Sequence, residues 1–204
     1  MATRTYAGQA VPDRRVQRRQ QFLDAGVEVF GTSGYASSSI TVVCKSAGLA
    51  RAQYYEHFSN REELLLAVYD MIQTDARDAV ASALREHADA PAATRVAVAV
   101  TAYARSLGSD PRRAAISFVE IIGVSPHVEQ HRIDQRTVWA EFFETELRRL
   151  VGPDFQPPGG YPAAATGFIG ALIALVHQWS TTDPRPPLND VTEVLTRFLL
   201  GLIS

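Results

Sequence analysis

Residues 38–65 read SSITVVCKSAGLARAQYYEHFSNREELL. Ser38 and Ser39 are suited to cap a helix, because a short polar side chain accepts a bond from an orphan first-turn N–H. Ile40, Val43 and Ala47 then fall on one helical face. Gly48 ends that helix, since glycine takes the left-handed conformation without a Cβ clash. One residue later a second short helix can run from Ala50 to His57. Helix, Gly-containing turn and helix make a helix-turn-helix pattern, whose second helix lies in the major groove of DNA. Asn60 and Glu63 then have the spacing of a capping box, with Asn in place of Ser or Thr, and announce a further helix.

The same stretch resembles the DNA-binding region of the TetR family of transcriptional regulators. The resemblance is carried by Ala47-Gly48-Leu49, by Tyr54-Tyr55-Glu56-His57-Phe58 and by Arg61-Glu62-Glu63-Leu64. It extends upstream through Gly26, Phe30 and Gly34-Tyr35, and covers roughly residues 13–70. Cys44, Thr41 and Ser59 depart from the usual Ala, basic residue and Pro, and Thr41 weakens one expected phosphate contact. The resemblance implies that Ala50 to Gln53 read bases. Arg51 suits a guanine edge, Gln53 an adenine edge and Ala52 a thymine methyl. Tyr55, His57 and Arg61 match phosphate-contacting positions, and the hydroxyls of Ser38, Ser39 and Thr41 suit the same backbone. Lys45 completes the expected DNA-binding set.

Charge agrees with such a division. Residues 1–61 hold eight Lys/Arg against four Asp/Glu, a net +4, and residues 62–204 hold twelve against eighteen, a net −6. A basic N-terminal third on an acidic body suits a DNA-binding head on a trunk that does not bind DNA. The single cysteine, Cys44, excludes an intramolecular disulfide and fits a reducing cytoplasm. No apolar run of signal-peptide length opens the chain, so a cytoplasmic location is expected.

The expected organisation is an arm over 1–12, a helix-turn-helix head over 13–60 and a helical ligand-binding and dimerisation trunk over 61–204, an all-α fold. Arg4 in the arm is a candidate for a minor groove, although a disordered tail is the commoner state of such a segment. The first helix runs from Asp13 to about Thr32, with Phe22, Leu23, Gly26, Val27 and Phe30 on its core face. Arg14, Arg15, Arg18 and Arg19 crowd its start. Cations there oppose the helix dipole, so a nearby phosphate backbone explains them better than helix stability does. Tyr54 and Phe58 read as core. A long helix, Arg61 to about His87, would join head to trunk. Five more are expected over Ala93–Leu107, Pro111–Ile122, Pro126–Val151, Pro162–Thr181 and Asp190–Ile203, with no strand. Asp110-Pro111 and Ser125-Pro126 are start signals, an N-cap followed by proline at the first helical position.

From Phe155 to Thr182 no residue is charged, counting His177 as neutral. Pro and Gly at the front and His177 at the back leave a short apolar core for a membrane span, so no membrane is expected. The Ala and Gly content instead suits close helix approach. The resemblance implies that helices 162–181 and 190–203 form a four-helix homodimer interface.

His127 and His131 stand one turn apart without an identifiable third ligand, so a surface pair is the better reading and no metal is expected. Glu120 shares a helical face with Arg113, Ser117 and Val124 and reads as solvated. No phosphate loop, dinucleotide fingerprint or nucleophile elbow is present, so no catalytic residues and no cofactor are expected. The trunk aromatics read first as core. The resemblance implies a small-molecule site between trunk helices, for which Tyr103, Phe118, Ile122, Trp139, Phe143, Phe168 and His177 are the candidates. The function expected is a ligand-responsive repressor that binds a palindromic operator in double-stranded DNA as a homodimer. The alternatives are a ligand- or metal-binding helical protein or enzyme on this scaffold, or the same head used as an activator.

Overall fold

In the computed structural model, which describes residues 5–6 and 9–203, helices carry nearly the whole chain. Helix α1 spans Val11–Ser33. It buries Phe22, Leu23, Ala25, Val29 and Phe30, each worth about 1.5–3 kcal/mol for the larger side chains. Gly26 belongs to that face because another helix crosses it closely: a Cβ there would stand 2.7 Å from Val68 Cγ2. Helix α2, Ile40–Ala47, starts at Ser39, whose Oγ accepts from Val42 N at 3.3 Å. It ends at Gly48 with φ 66°, where Leu49 N reaches back to Cys44 O. Helix α3 is Arg51–Tyr55. It is shorter than the expected Ala50–His57 because the amide of His57 bonds three residues back, to Tyr54 O, and tightens the last turn.

Helix α4 spans Arg61–Glu86. Asn60 Oδ1 accepts from Glu63 N at 2.8 Å, as its spacing predicts. The return bond differs from a capping box: the Glu63 carboxylate takes the amide of Ser59, at 2.7 Å. Tyr54 is fully buried against Phe22, with ring centroids 5.3 Å apart and nearly perpendicular. Its hydroxyl donates to Asn60 O at 2.9 Å, the partner that a buried phenol needs. Tyr54 and Phe58 therefore belong to the core of the head, as expected.

The trunk packs the rest of α4 against α5 (Ala92–Gly108), α6 (Pro111–Ala115), α7 (Pro126–Val151), α8 (Gly160–Thr181) and α9 (Leu188–Leu202). Asp110 caps α6 through Arg112 N, and Ser125 caps α7 through Val128 N. The proline-rich link before α9 is clasped by Trp179, whose Nε1 donates to Pro186 O at 2.9 Å while Arg185 lies over the indole. By length and composition α8 would suffice to cross a membrane. It packs instead on α5, α7 and α9 through Ala164, Ala165, Phe168, Leu172 and Val176. Gly167, Gly170 and Ala174 of α8 are exposed, the last two near Arg136 and Ala140 of α7, and Val194 and Phe198 are exposed on α9.

Several expectations change, and one is not reached. Two short strands, Thr5–Tyr6 and Gln9–Ala10, pair antiparallel, where no strand was expected. The Arg4 minor-groove contact lies outside the described residues. The expected helix Pro111–Ile122 is α only to Ala115 and continues as a π-helical turn, Ile116–Glu120, closed by Ile121 N to Ile116 O. Residues five apart sit about 140° apart on an α-helix. The wider turn lets both Ile116 and Ile121 reach the core, where each is fully buried. It also overturns the solvated reading of Glu120. Ser117 turns inward and Glu120 turns to the head, where its carboxylate accepts from Tyr35 N at 2.6 Å.

Candidate nucleic-acid interface and trunk cavities

Helices α2 and α3 set most of the expected DNA-contacting residues on one open face. Ser39, Thr41, Lys45, Ala50, Arg51, Ala52 and Tyr55 are exposed. Arg51 folds over Tyr55, with Nη2 donating to the phenol oxygen at 3.0 Å. The Tyr55 ring rests edge-on against Tyr54, 5.7 Å between centroids, while its hydroxyl and the Arg51 guanidinium stay at the surface. Gln53 is half-buried, and its Oε1 accepts from Ala50 N at 2.9 Å. That bond caps α3 where Ala50 has no side chain to do so. A two-point adenine contact by Gln53 would have to release it.

Ser38, His57 and Arg61 differ from the surface contacts first drawn for them. Ser38 is 7% exposed and donates to Tyr35 O at 2.7 Å. Its hydroxyl is a lock in the turn before α2, and a phosphate contact by Ser38 would have to release it. Arg61 donates from Nη1 to the carbonyl and hydroxyl oxygens of Ser38, and its guanidinium lies 4.1 Å from the Tyr35 ring centroid. It braces the head from within. His57 packs against Phe22 and Phe58, and its Nε2 is buried without a partner. Burial first, then the nearby Arg15, holds its pKa below the usual histidine value, with Glu56 opposing. A phosphate beside it would favour the charged form instead.

Arg15 and Arg19 of α1 stand beside His57 at the edge of this face, and Arg18 pairs loosely with Glu56 at 3.8 Å. They continue the positive surface from the motif onto α1. Cys44 is buried in α2, and burial pushes its thiol pKa up, which marks an inert side chain.

Two adjoining cavities open in the trunk. One is an apolar pouch of about 90 Å³ between α4, α5, α7, α8 and α9, walled by Val96, Val100, Phe143, Leu147, Phe168 and Leu199. The other is a polar chamber of about 180 Å³, reached by Ser117, Phe118, Ile122, Arg132, Arg136 and His177. Tyr103, Trp139, Ile169 and Leu172 belong to both. Trp139 is held in this shared wall by its Nε1 bond to Gln73 Oε1, 2.9 Å, and by the edge of Tyr103, 5.3 Å away. His177 stacks on Phe118, with centroids 5.2 Å apart. Burial pushes the Tyr69 phenol, also in the chamber, up to about 12, so it stays a neutral donor or acceptor.

The seven residues expected at a ligand site thus divide between the two cavities. Phe143 and Phe168 line the pouch, and Phe118, Ile122 and His177 line the chamber. Tyr103 and Trp139 line both. Ile122 contributes only an edge, since it is 57% exposed. Sequence reasoning missed Gln73, Ser117, Arg132 and Arg136. Gln73 had a readable signal, a polar residue beside Ile72 within the apolar stripe of α4. Ser117 had none, because its orientation depends on the π turn. His131 Nε2 pairs with Asp70 at 2.6 Å while His127 is exposed. Among the described residues, no three His, Cys, Asp or Glu side chains converge as a metal site would require.

Residues 22–68 match the model for bacterial regulatory proteins of the tetR family. The fatty acid metabolism regulator protein of Bacillus subtilis is 26% identical over 101 residues, which is 50% of this chain and 51% of that protein. The HTH-type transcriptional regulator YdgC of the same organism is 22% identical over 92% of this chain and 94% of its own length. Among solved structures, the regulator FadR of B. subtilis in complex with stearoyl-CoA superposes with a TM-score of 0.73 at 19% identity. That match covers 91% of this chain and 99% of the other.

Proposed function

The chain belongs to the TetR family and is a DNA-binding transcriptional regulator, and from that premise we propose that it is a homodimeric repressor released by a small molecule with a long apolar portion. The division into a head over 13–60, a trunk over 61–204 and an arm over 1–12 is part of this reading, as is action in the cytoplasm. The observation that carries it is the open face of α2 and α3, on which Thr41, Lys45, Arg51, Ala52 and Tyr55 are exposed together. Arg51 and Gln53 would read base edges, while Ser39, Thr41, Lys45 and Tyr55 would hold the phosphate backbone. Two such heads suit half-sites in successive major grooves of a pseudo-palindrome.

The dimer would form through the small-residue face of α8 and the exposed Val194 and Phe198 of α9. The pairing is isologous in a two-fold dimer: α8 brings an uncharged face, and in α9 Glu193 and Arg197 pair with each other beside Val194 and Phe198. For the effector, the apolar pouch gives the shape, and the stearoyl-CoA complex of the similar FadR gives the first compound class to test. Ligand and DNA would weaken each other's binding reciprocally. The π turn offers a route between them, since Phe118 faces the chamber while Glu120 holds Tyr35 in the head.

The test is selection of random duplex DNA by the purified protein at moderate salt, followed by sequencing. An enriched inverted repeat, lost on addition of stearoyl-CoA, is the expected result. Enrichment of a single unrepeated half-site would overturn the dimeric reading, and no enrichment with or without the acyl compound would overturn the regulator.

A further inference from the structure

The polar chamber carries three features that an apolar ligand does not explain. Ser117 is 9% exposed, and its hydroxyl has no hydrogen-bond partner. A buried hydroxyl left unpaired costs about 1–3 kcal/mol, so its retention at this wall points to a group that completes it. Arg132 and Arg136 reach the same chamber, and no acidic side chain lines it among the described residues. Arg132 is held on one side by Glu129, which takes its Nε and Nη2. Arg136, one turn further along α7, makes no hydrogen bond or ion pair with any described residue. The result is a concave, cationic, hydrogen-bonding pocket that shares the Trp139–Tyr103 wall with an almost wholly apolar one.

We propose that the two cavities are one site for an anionic amphiphile, with Ser117, Arg132 and Arg136 as the subsite for its charged head and the pouch as the seat of its tail. The inference rests on the effector reading above and adds the requirement for charge. Guanidinium groups recognise carboxylate and phosphate oxygens alike. A free long-chain carboxylate and an acyl-CoA therefore share the chemistry that the chamber selects, and a neutral alcohol of the same length lacks it. The head would enter from the open side, where Arg136 and Ile122 are exposed. The tail would cross beside Ile169 and Leu172, which border both cavities.

The experiment is a titration of the intact protein with stearate, stearoyl-CoA and octadecan-1-ol, read by tryptophan fluorescence and by calorimetry. Both anions should bind at least about tenfold more tightly than the alcohol, the scale of one charge-assisted hydrogen bond. Arg136→Gln should remove most of that difference. Its side chain is exposed, so the variant should keep its fold, with helical circular dichroism as the check. Ala99→Phe, which fills the pouch, should weaken all three ligands alike. Binding of stearate but not stearoyl-CoA would identify the free acid as the source, and the reverse would identify the thioester; either supports the charged subsite. Equal affinity for alcohol and anions, an unchanged preference in Arg136→Gln, or no binding of any of the three would overturn it. Operator selection without ligand reads the DNA-binding function separately, so failure of the subsite and failure of the regulator are distinguishable.

Discussion

Arg51 and Arg61 are ten residues apart and carry the same charge, yet they do different work. Arg51 is exposed, and its guanidinium donates to the Tyr55 hydroxyl. Arg61 is threaded between Ser38 and Tyr35. Arg51→Ala should leave the melting temperature nearly unchanged and alter which sequences a random-duplex selection retains. Arg61→Ala should lower stability by about 1–3 kcal/mol, the cost of breaking a charged hydrogen bond with its buried acceptor. It should also weaken binding to all sequences, because the turn that aims α2 loosens. Thermal unfolding and selection on the same two variants check both statements. A loss of sequence preference in Arg61→Ala with stability intact would reverse the assignment. Sequence spacing identifies both residues as part of the motif but cannot distinguish them. Which guanidinium points inward depends on Tyr35, which sits in the turn after α1, 26 residues before Arg61.

At the scale of elements, α1 of the head meets α6 of the trunk at close quarters. A Cβ on Gly31 would stand 2.6 Å from Arg112 Cα and 2.7 Å from its carbonyl oxygen, both backbone atoms that have no rotamer to yield. The same Arg112 pairs with Glu28 at 2.6 Å and with Asp110 at 2.9 Å. Beyond it, Gly34 adopts φ +82°, and Tyr35 gives its amide to Glu120. Gly31→Ala should destabilise the protein by about 1–3 kcal/mol, as overpacking does. It should also reduce the effect of any ligand on operator affinity, since the head would no longer follow the π turn. Chemical unfolding gives the first quantity, and operator titration with and without stearoyl-CoA gives the second. An unchanged ligand effect would mean that α4 alone couples the two ends. Gly31 is legible in the sequence only as the residue where α1 nears its end; its close approach is a relation between two elements that the chain order does not express.

For the whole molecule, α8 and α9 both carry exposed apolar or small residues. Val194 is 55% exposed and Phe198 44%, and Gly167 and Gly170 of α8 have open space where a Cβ would stand. Phe198 stacks on Phe168, a wall of the pouch, so the proposed dimer face and the proposed ligand site share a layer of aromatic rings. Phe198→Asp should convert the protein to a monomer by light scattering. It should also weaken affinity for a two-half-site operator by at least about tenfold, because the second head is no longer delivered at high effective concentration. A Phe198→Asp protein that stays dimeric would place the interface elsewhere.

The amino-acid sequence alone determined the helix-turn-helix. Its signals are local, namely a Ser cap, a glycine with positive φ, an Asn cap and apolar residues one turn apart, and each acts within a few residues of itself. It also determined most helix starts, because Asp110-Pro111 and Ser125-Pro126 are capping chemistry that needs no partner from afar. It marked the aromatic residues of the trunk without saying what they enclose. The tertiary structure decided which polar side chains face inward. Ser38 and Arg61 brace the head, Ser117 opens into a chamber and Glu120 holds a backbone amide. Each depends on a surface brought from elsewhere in the chain, and Ser117 and Glu120 depend also on one turn that widens from α to π so that two isoleucines five residues apart can both be buried.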